Sequence, residues 1–325
     1  VNPTNVGDLA TFNASVSSMG CNSGLAPPGT MTFTIGPETS GAIPVVPPSG
    51  ISPSANASFS TAALPVGSHA VSAQFTPSGS DNCAASSDTG ANQVVKSDTT
   101  TQLVSGLNPS TSGTSVTFTA TVAANSGGGT PTGNVTFTVD GAPQGSSAVN
   151  GSGQATFIIS TLAVGTRTIG ATYNGDTVHN SSTAAPVSQT VNQVATTTVL
   201  ASSANPSNVG ASVTFTATVA PVSGSGTPSG DVTFTIDGTP EAPITVDGSG
   251  QATFTTSSLA IGQRTIGATY SGDTNNISSA ATSLNQTVNQ IATTTALASS
   301  ANPSNVGDSI TFTANKTGTF DYYCS

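Results

Sequence analysis

Positive charge is nearly missing from this sequence. Lys96, Arg167, Arg264 and Lys316 are its only basic residues other than two histidines. Neutralising phosphates takes clustered cations, so nucleic-acid binding is excluded, and anionic lipid surfaces are disfavoured for the same reason. Charged residues of both signs make up 6% of the chain, against ~25% in an average soluble domain. The formal charge of −10 is spread thinly over Asp and Glu. Tryptophan is absent and tyrosine numbers four, which weakens any sugar-stacking surface. No apolar run approaches the ~20 residues that span a membrane. No signal-peptide pattern opens the chain. It begins abruptly at Val1, as expected of a chain whose leader was removed or lies outside this sequence. No segment has helical periodicity of useful length.

Repetition is what the sequence does have. "NPSNVG" or a near relative recurs with its Asn at Asn2, Asn108, Asn205 and Asn302, at intervals of 106, 97 and 97. The central copies match without a gap. "SVTFTATVA" stands at Ser115 and Ser212, "GSGQATF" at Gly151 and Gly248, "RTIGATY" at Arg167 and Arg264, "QTVNQ" at Gln189 and Gln286. A fixed period of this size decides the architecture. Within each copy apolar residues alternate with period two: Val213, Phe215, Ala217 and Val219 on one face, Thr214, Thr216 and Thr218 on the other. Asn-Pro, Asp-Gly and Gly-Asp signals separate about seven such strands. The fold class is therefore all-β, as antiparallel sandwiches in tandem.

"TTTVLASSANPSNVGASVTFTATVAPVSGSGTPSGDVTFTIDG" and "SSLAIGQRTIGATYSGD" resemble the bacterial Ig-like domain repeats of large secreted and surface proteins. The resemblance covers about nine-tenths of the chain. It implies Ig-like β-sandwiches used as an extracellular spacer or stalk, and it implies no chemistry. The expected units are 1–96, with insertions around Pro44 to Pro53 and without a leading strand; 97–194; 195–290; and 291–325, only begun. The segment "QTVNQVATTT" joins neighbours with no Gly/Ser or Pro-rich spacer, so an extended, semi-rigid rod is expected.

The strands turn Thr and Ser outward, and the central repeats contain no Lys to blunt sheet edges. Two readings stand: solvated Thr-rich faces, or packing between copies. The absence of Lys also excludes a Lys–Asn side-chain amide cross-link in those repeats.

Few residues offer chemistry. Cys21 and Cys83 fall in loops that lie at the same end of an Ig-like sandwich, so they are expected to form a disulfide, implying an oxidising, extracellular compartment. His69 occupies the strand position of Arg167 and Arg264 and is expected to face outward. His179 stands where the next copy has Asn276 and is not expected to be a repeated feature. No Ser/His/Asp set or carboxylate pair is legible. Asp176 and Asp273, in "NGD" and "SGD", suit turns; a Ca²⁺ role would need six or more oxygen ligands, and no acidic cluster accompanies them. No catalytic residue, metal ligand or cofactor is expected.

The end of the chain, "ANKTGTFDYYCS", breaks the pattern. "GTFDYYCS" resembles the cupredoxin strand that leads into the copper-ligand cysteine, here Cys324. A type 1 copper site needs two His. None follows Cys324 and none lies within a hundred residues before it, so this chain cannot form that site. As the odd cysteine, Cys324 is a candidate for an intermolecular disulfide or for a site completed elsewhere. The sequence thus points to an extracellular or cell-surface structural protein, a stalk or filament subunit and not an enzyme. The expected partners are other copies of itself in a homopolymer or longer array, a cell surface or polysaccharide, with no nucleic acid and no membrane span. The two incomplete ends leave two readings: a longer array cut at both ends, or head-to-tail strand complementation, in which "ATTTALASS" would supply the leading strand that unit one lacks. The alternatives are an adhesin or carbohydrate-binding module, or the non-catalytic stalk of a larger secreted protein.

Overall fold

A computed structural model gives the fold for residues 1–18, 26–46, 52–79, 82–224, 226–300, 303 and 305–317. The described residues contain strands, turns and no helix long and apolar enough to cross a membrane. Two compact units, Val1–Asn192 and Gln193–Ser325, divide the chain.

The first unit holds two sandwiches. Leaving aside two-residue strands on the sheet margins, the strands of the first are β1 (Thr4–Asn5), β2 (Ala10–Ser17), β3 (Gly29–Ile35), β4 (Ser54–Thr61), β5 (Gly67–Pro77) and β6 (Ser86–Lys96). Those of the second are β7 (Thr99–Ser105), β8 (Ser110–Thr111), β9 (Val116–Ala124), β10 (Asn134–Val139), β11 (Ala142–Ala148), β12 (Gln154–Ile159), β13 (Gly165–Tyr173) and β14 (Val187–Asn192). In the second sandwich one sheet runs β12-β9-β7 and the other β8-β14-β13-β10-β11. β7 and β8 are consecutive yet lie in different sheets, because the Asn108-Pro109 turn carries the chain across. β8 then pairs in parallel with β14, while the other ladders of this sandwich are antiparallel. The first sandwich repeats the larger sheet as β1-β6-β5-β3, and among its described residues the other sheet is β2-β4.

The second unit holds β15 (Thr196–Ser202), β16 (Ser207–Asn208), β17 (Val213–Pro221), β18 (Asp231–Ile236), β19 (Gln251–Thr256), β20 (Gly262–Tyr270) and β21 (Leu284–Asn289). They form sheets β15-β17-β19 and β16-β21-β20-β18. Among the described residues β22 (Thr294–Ser299) and β23 (Phe312–Thr317) pair with each other alone. Their register sets Leu297 opposite Ala314, as Leu200 stands opposite Ala217 between β15 and β17.

Period-two alternation becomes burial. Val213, Phe215 and Ala217 are fully buried, as are Val232, Phe234 and Ile266. Across the sandwich Phe234 stacks on Phe254 at 5.7 Å between ring centres, and Phe137 on Phe157 at 5.4 Å. Burying one such ring contributes on the order of 2 kcal/mol. The hairpin between β10 and β11 turns on Asp140-Gly141, with φ of 50° and 81°. Asp237-Gly238 repeats it with φ of 52° and 85°, the left-handed pair that a two-residue hairpin requires. Arg167 and Arg264 reach these aspartates at 3.1 and 3.0 Å.

His69 corrects an expectation. It occupies the arginine position, paired with Gln93 as Arg264 is with Gln286, but it is buried rather than outward. No aspartate stands in its turn, where Gly36 leaves room for the ring. Its Nε2 lies 2.7 Å from the Pro65 carbonyl, much as Arg264 donates to the Ile261 carbonyl.

Candidate functional site

Three features of the repeat could carry function: the Asn-Pro turn, the Gly-Asp loop, and the edge of β2.

The Asn-Pro turn is a clasp. Asn205 Nδ2 donates to the Asn285 carbonyl at 2.7 Å, and its Oδ1 accepts from the Thr287 amide at 2.9 Å. Asn108 makes the same pair with Ser188 and Thr190, and Asn2 with Asn92 and Val94. The side-chain amide thus imitates one residue of a neighbouring strand. Between the clasped residues sits Gln286, fully buried. Its amide donates to the Ala204 carbonyl at 2.8 Å and the Ser207 hydroxyl at 3.2 Å, and its Oε1 accepts from the Ser202 hydroxyl at 2.8 Å. Gln189 repeats this with Leu107, Ser110 and Ser105. Sequence reasoning took Asn-Pro as a turn signal and missed the glutamine. The recurrence of a polar residue in the middle of an apolar strand was the available clue.

The Gly-Asp loop is a second hydrogen-bond hub. Asp176 accepts from the Thr132 amide and hydroxyl, the Val178 and His179 amides, and the His179 ring at 2.9 Å. Burial pushes its pKa upward, but the Thr132 amide, the His179 ring, the Thr132 hydroxyl and the Val178 amide together hold it well below the usual carboxylate range. Asp273 is treated alike by Ser229, Asn276 and Asn275, with the same lowered pKa despite the upward push of burial. Tyr173 and Tyr270 stand beside these carboxylates, and burial first, then the neighbouring negative charge and hydrogen bonding, keep their hydroxyls protonated above the usual tyrosine range. The expectation that His179 is not a repeated feature is therefore wrong. His179 and Asn276 are different side chains presenting an N–H to the same carboxylate. This geometry also opposes the calcium reading, since a cation would have to displace several N–H donors. Among the described residues no group of three His, Cys, Asp or Glu could hold a metal. Each loop is also capped from the strand before it or the linker: Lys96 Nζ donates to the Asp176 carbonyl, and Gln193 Nε2 to the Asp273 carbonyl, both at 2.7 Å.

Among the described residues β2 pairs along one side, with β4. In the second sandwich β7 pairs along β9, with Leu103 opposite Ala120. In the first, no described strand occupies the corresponding side of β2. A groove of about 820 Å³ runs there instead, lined by Phe12, Ala14, Phe33, Ala73, Phe75 and Gln93 among others. Phe12 and Ala14 are half-buried, whereas Phe118 and Ala120 are fully buried.

Cys83 lies in the loop between β5 and β6 and is disulfide-bonded. Cys21, its expected partner, and Cys324 lie outside the described residues. The cupredoxin-like tail falls outside them from residue 318 onward.

The family model for the bacterial Ig-like domain (group 3) matches residues 103–192 and 200–289, together more than half of the chain. No curated relative matches the sequence. Among solved structures, the chain is similar to the fibronectin(III)-like modules of Clostridium thermocellum CbhA. The identity is 21%, over 58% of this chain and 94% of that one, with a TM-score of 0.24. It is similar to the Escherichia coli adhesin FdeC at 15% identity, over 89% of this chain and 95% of that one, with a TM-score of 0.28. The Yersinia pseudotuberculosis adhesin InvE is 20% identical over 58% of each chain, with a TM-score of 0.33.

Proposed function

Because the chain belongs to the bacterial Ig-like domain family (group 3), we propose that it is a non-catalytic structural segment of an extracellular or cell-surface protein, a stalk of repeated sandwiches. One observation carries this reading. The polar residues that recur with the repeat are spent on holding strands together: Asn108 and Asn205, Gln189 and Gln286, Asp176 and Asp273 make the same bonds in successive domains. Repetition of these residues thus preserves bonds internal to each domain. Domains of this family are typically non-catalytic, which agrees with that use. We assign the Cys83 disulfide to Cys21, which would close the long loops of the first sandwich and require an oxidising compartment.

Stretching the purified chain between its ends tests the stalk reading. The two central repeats should unfold in separate, nearly equal steps of roughly 30 nm, the extended length of one repeat less its folded span. A single continuous extension without steps would overturn the reading of independently folded domains under tension. Protease treatment of intact cells should release the chain; recovery only from the cell interior would overturn the surface placement.

A further inference from the structure

The turn between β11 and β12 holds a residue whose side chain is poised to react with its own backbone. We propose that Asn150 is a site of spontaneous deamidation, at which the second sandwich acquires the aspartate that the third already carries as Asp247. The proposal concerns the ageing of the folded chain and does not stand or fall with the stalk role.

A glycine after an asparagine leaves the side-chain amide open to the next backbone nitrogen, because no Cβ blocks the approach. The chain contains two such pairs, Asn150-Gly151 and Asn174-Gly175. In the reaction the Gly151 nitrogen gives its proton to solvent base and bonds to Asn150 Cγ. The Cγ–Nδ2 bond breaks, and Nδ2 leaves as ammonia after taking a proton back from solvent. Water then opens the cyclic imide, its hydroxyl going to a carbonyl carbon and its proton to the Gly151 nitrogen. Opening at Cγ gives aspartate. Opening at the backbone carbonyl carbon gives isoaspartate, in which the chain runs through the side chain. One amide and one water become one carboxylate and one ammonium, with nothing oxidised or reduced.

The fold leaves one pair open and closes the other. Asn150 and Gly151 are exposed, and a Cβ placed on Gly151 would meet nothing within 4 Å, so the peptide between them has room to turn. Asn150 Oδ1 accepts from the Ser152 amide at 2.9 Å and the Gln154 amide at 3.0 Å. Two donors on that oxygen polarise Cγ and hold the charge the oxygen takes up during attack. Asn174 is tied down instead. Its Nδ2 donates to the Thr136 hydroxyl at 3.0 Å, and its Oδ1 accepts from that hydroxyl at 3.3 Å. Gly175 lies against backbone: a Cβ there would come within 3.0 Å of the His179 carbonyl and 3.2 Å of the Ser181 amide. Its peptide cannot swing without opening the Gly-Asp loop. The third sandwich shows the product in place. Asp247 Oδ1 accepts from the Ser249 amide at 2.8 Å and the Gln251 amide at 2.9 Å, the same two bonds with a charged acceptor. Isoaspartate fits less well. It adds a carbon between the Asn150 amide, which donates to the Gln154 carbonyl at 2.8 Å, and the Asn150 carbonyl, which accepts from the Gly153 amide at 2.9 Å.

The test holds the full chain folded in warm, mildly alkaline buffer for days and follows it by mass. Trypsin, added after denaturation, cuts at the few basic residues and separates the sites, Asn150 into the peptide 97–167 and Asn174 into 168–264. The 97–167 peptide should show a growing fraction with the mass of the acid, and 168–264 should convert several-fold more slowly. In guanidinium chloride, where the Gly-Asp loop is gone, the two rates should become alike. Gly151→Ala should slow conversion of 97–167 several-fold. That variant folds, because Gly151 is not in the left-handed region and has open space for a Cβ. Asn150→Asp should leave amide exchange in β12 unchanged. A 97–167 peptide that stays unconverted in the folded chain overturns the proposal. So do equal conversion of both peptides while folded, a rate indifferent to Gly151→Ala, or faster exchange in β12 of Asn150→Asp. None of these outcomes alters the unfolding steps or the surface release expected of a stalk, so the two readings fail separately.

Discussion

Replacing Gln286 by Leu should destabilise the third sandwich by about 2 kcal/mol. Leucine nearly matches glutamine in volume, so the change leaves little cavity and isolates the polar contribution. Two short bonds disappear, from the amide to the Ala204 carbonyl and from the Ser202 hydroxyl, each at 2.8 Å. Each is worth about 1 kcal/mol net. The Ser207 hydroxyl, itself buried, loses its 3.2 Å donor at a further cost of about 1 kcal/mol. Burial of the apolar leucine offsets about 1 kcal/mol of that sum. A chain of several domains does not unfold in two states, so a single midpoint is the wrong measure. Hydrogen exchange resolves the domains instead. The slowest amides of β20 and β21 should exchange ~30-fold faster, while the matching amides of β13 stay unchanged as an internal control. Ser202→Ala should lose most of its own effect in the Gln286→Leu background, with a coupling of about 1 kcal/mol. Unchanged or slower exchange in β20 and β21 would refute the reasoning, because the buried amide would then contribute nothing that a hydrocarbon cannot replace.

The Gly-Asp loops and the disulfide each give a further measurable outcome. The lowered pKa of Asp176 and Asp273 means that their stabilisation is complete above the unfolded value of about 4 and is lost as the pH falls below it. Thermal unfolding midpoints should hold between about pH 5 and 7 and drop below about pH 4, and Asp273→Asn should reduce that drop in the second unit; a flat acid profile would contradict the assignment. Reducing the Cys83 disulfide should destabilise the first sandwich alone, by about 4 kcal/mol on the loop-entropy model, with intact mass after alkylation and peptide mapping reporting Cys21 as the partner.

The strands were legible because they are local: Val213, Phe215, Ala217 and Val219 announce a buried face within seven residues, and a second copy repeats the announcement. The Asp-Gly turns were legible for the same reason. The clasp was not, since Asn205 meets Asn285 and Thr287 across about eighty residues, and no local pattern reports such a bond. His179 misled because it and Asn276 differ in residue type. Histidine and asparagine share only one relevant property, an N–H placed three residues after an aspartate, and that property is what the fold uses. His69 misled in the converse way: its strand position was right, but the turn opposite had lost the aspartate that would draw a side chain outward.

The parallel pairing of β16 with β21 has a consequence for how the domain resists tension. A pull at the two chain ends reaches these strands in opposite senses along a common axis. Once β15 has given way, the bonds between them lie across the load and must break together, in shear, instead of opening one after another like a zipper. The two Asn205 bonds and those of Gln286 belong to that same set. A motif that reads as a turn in the sequence is thus the rivet line of the domain, and its spacing along the chain sets where successive rivets fall.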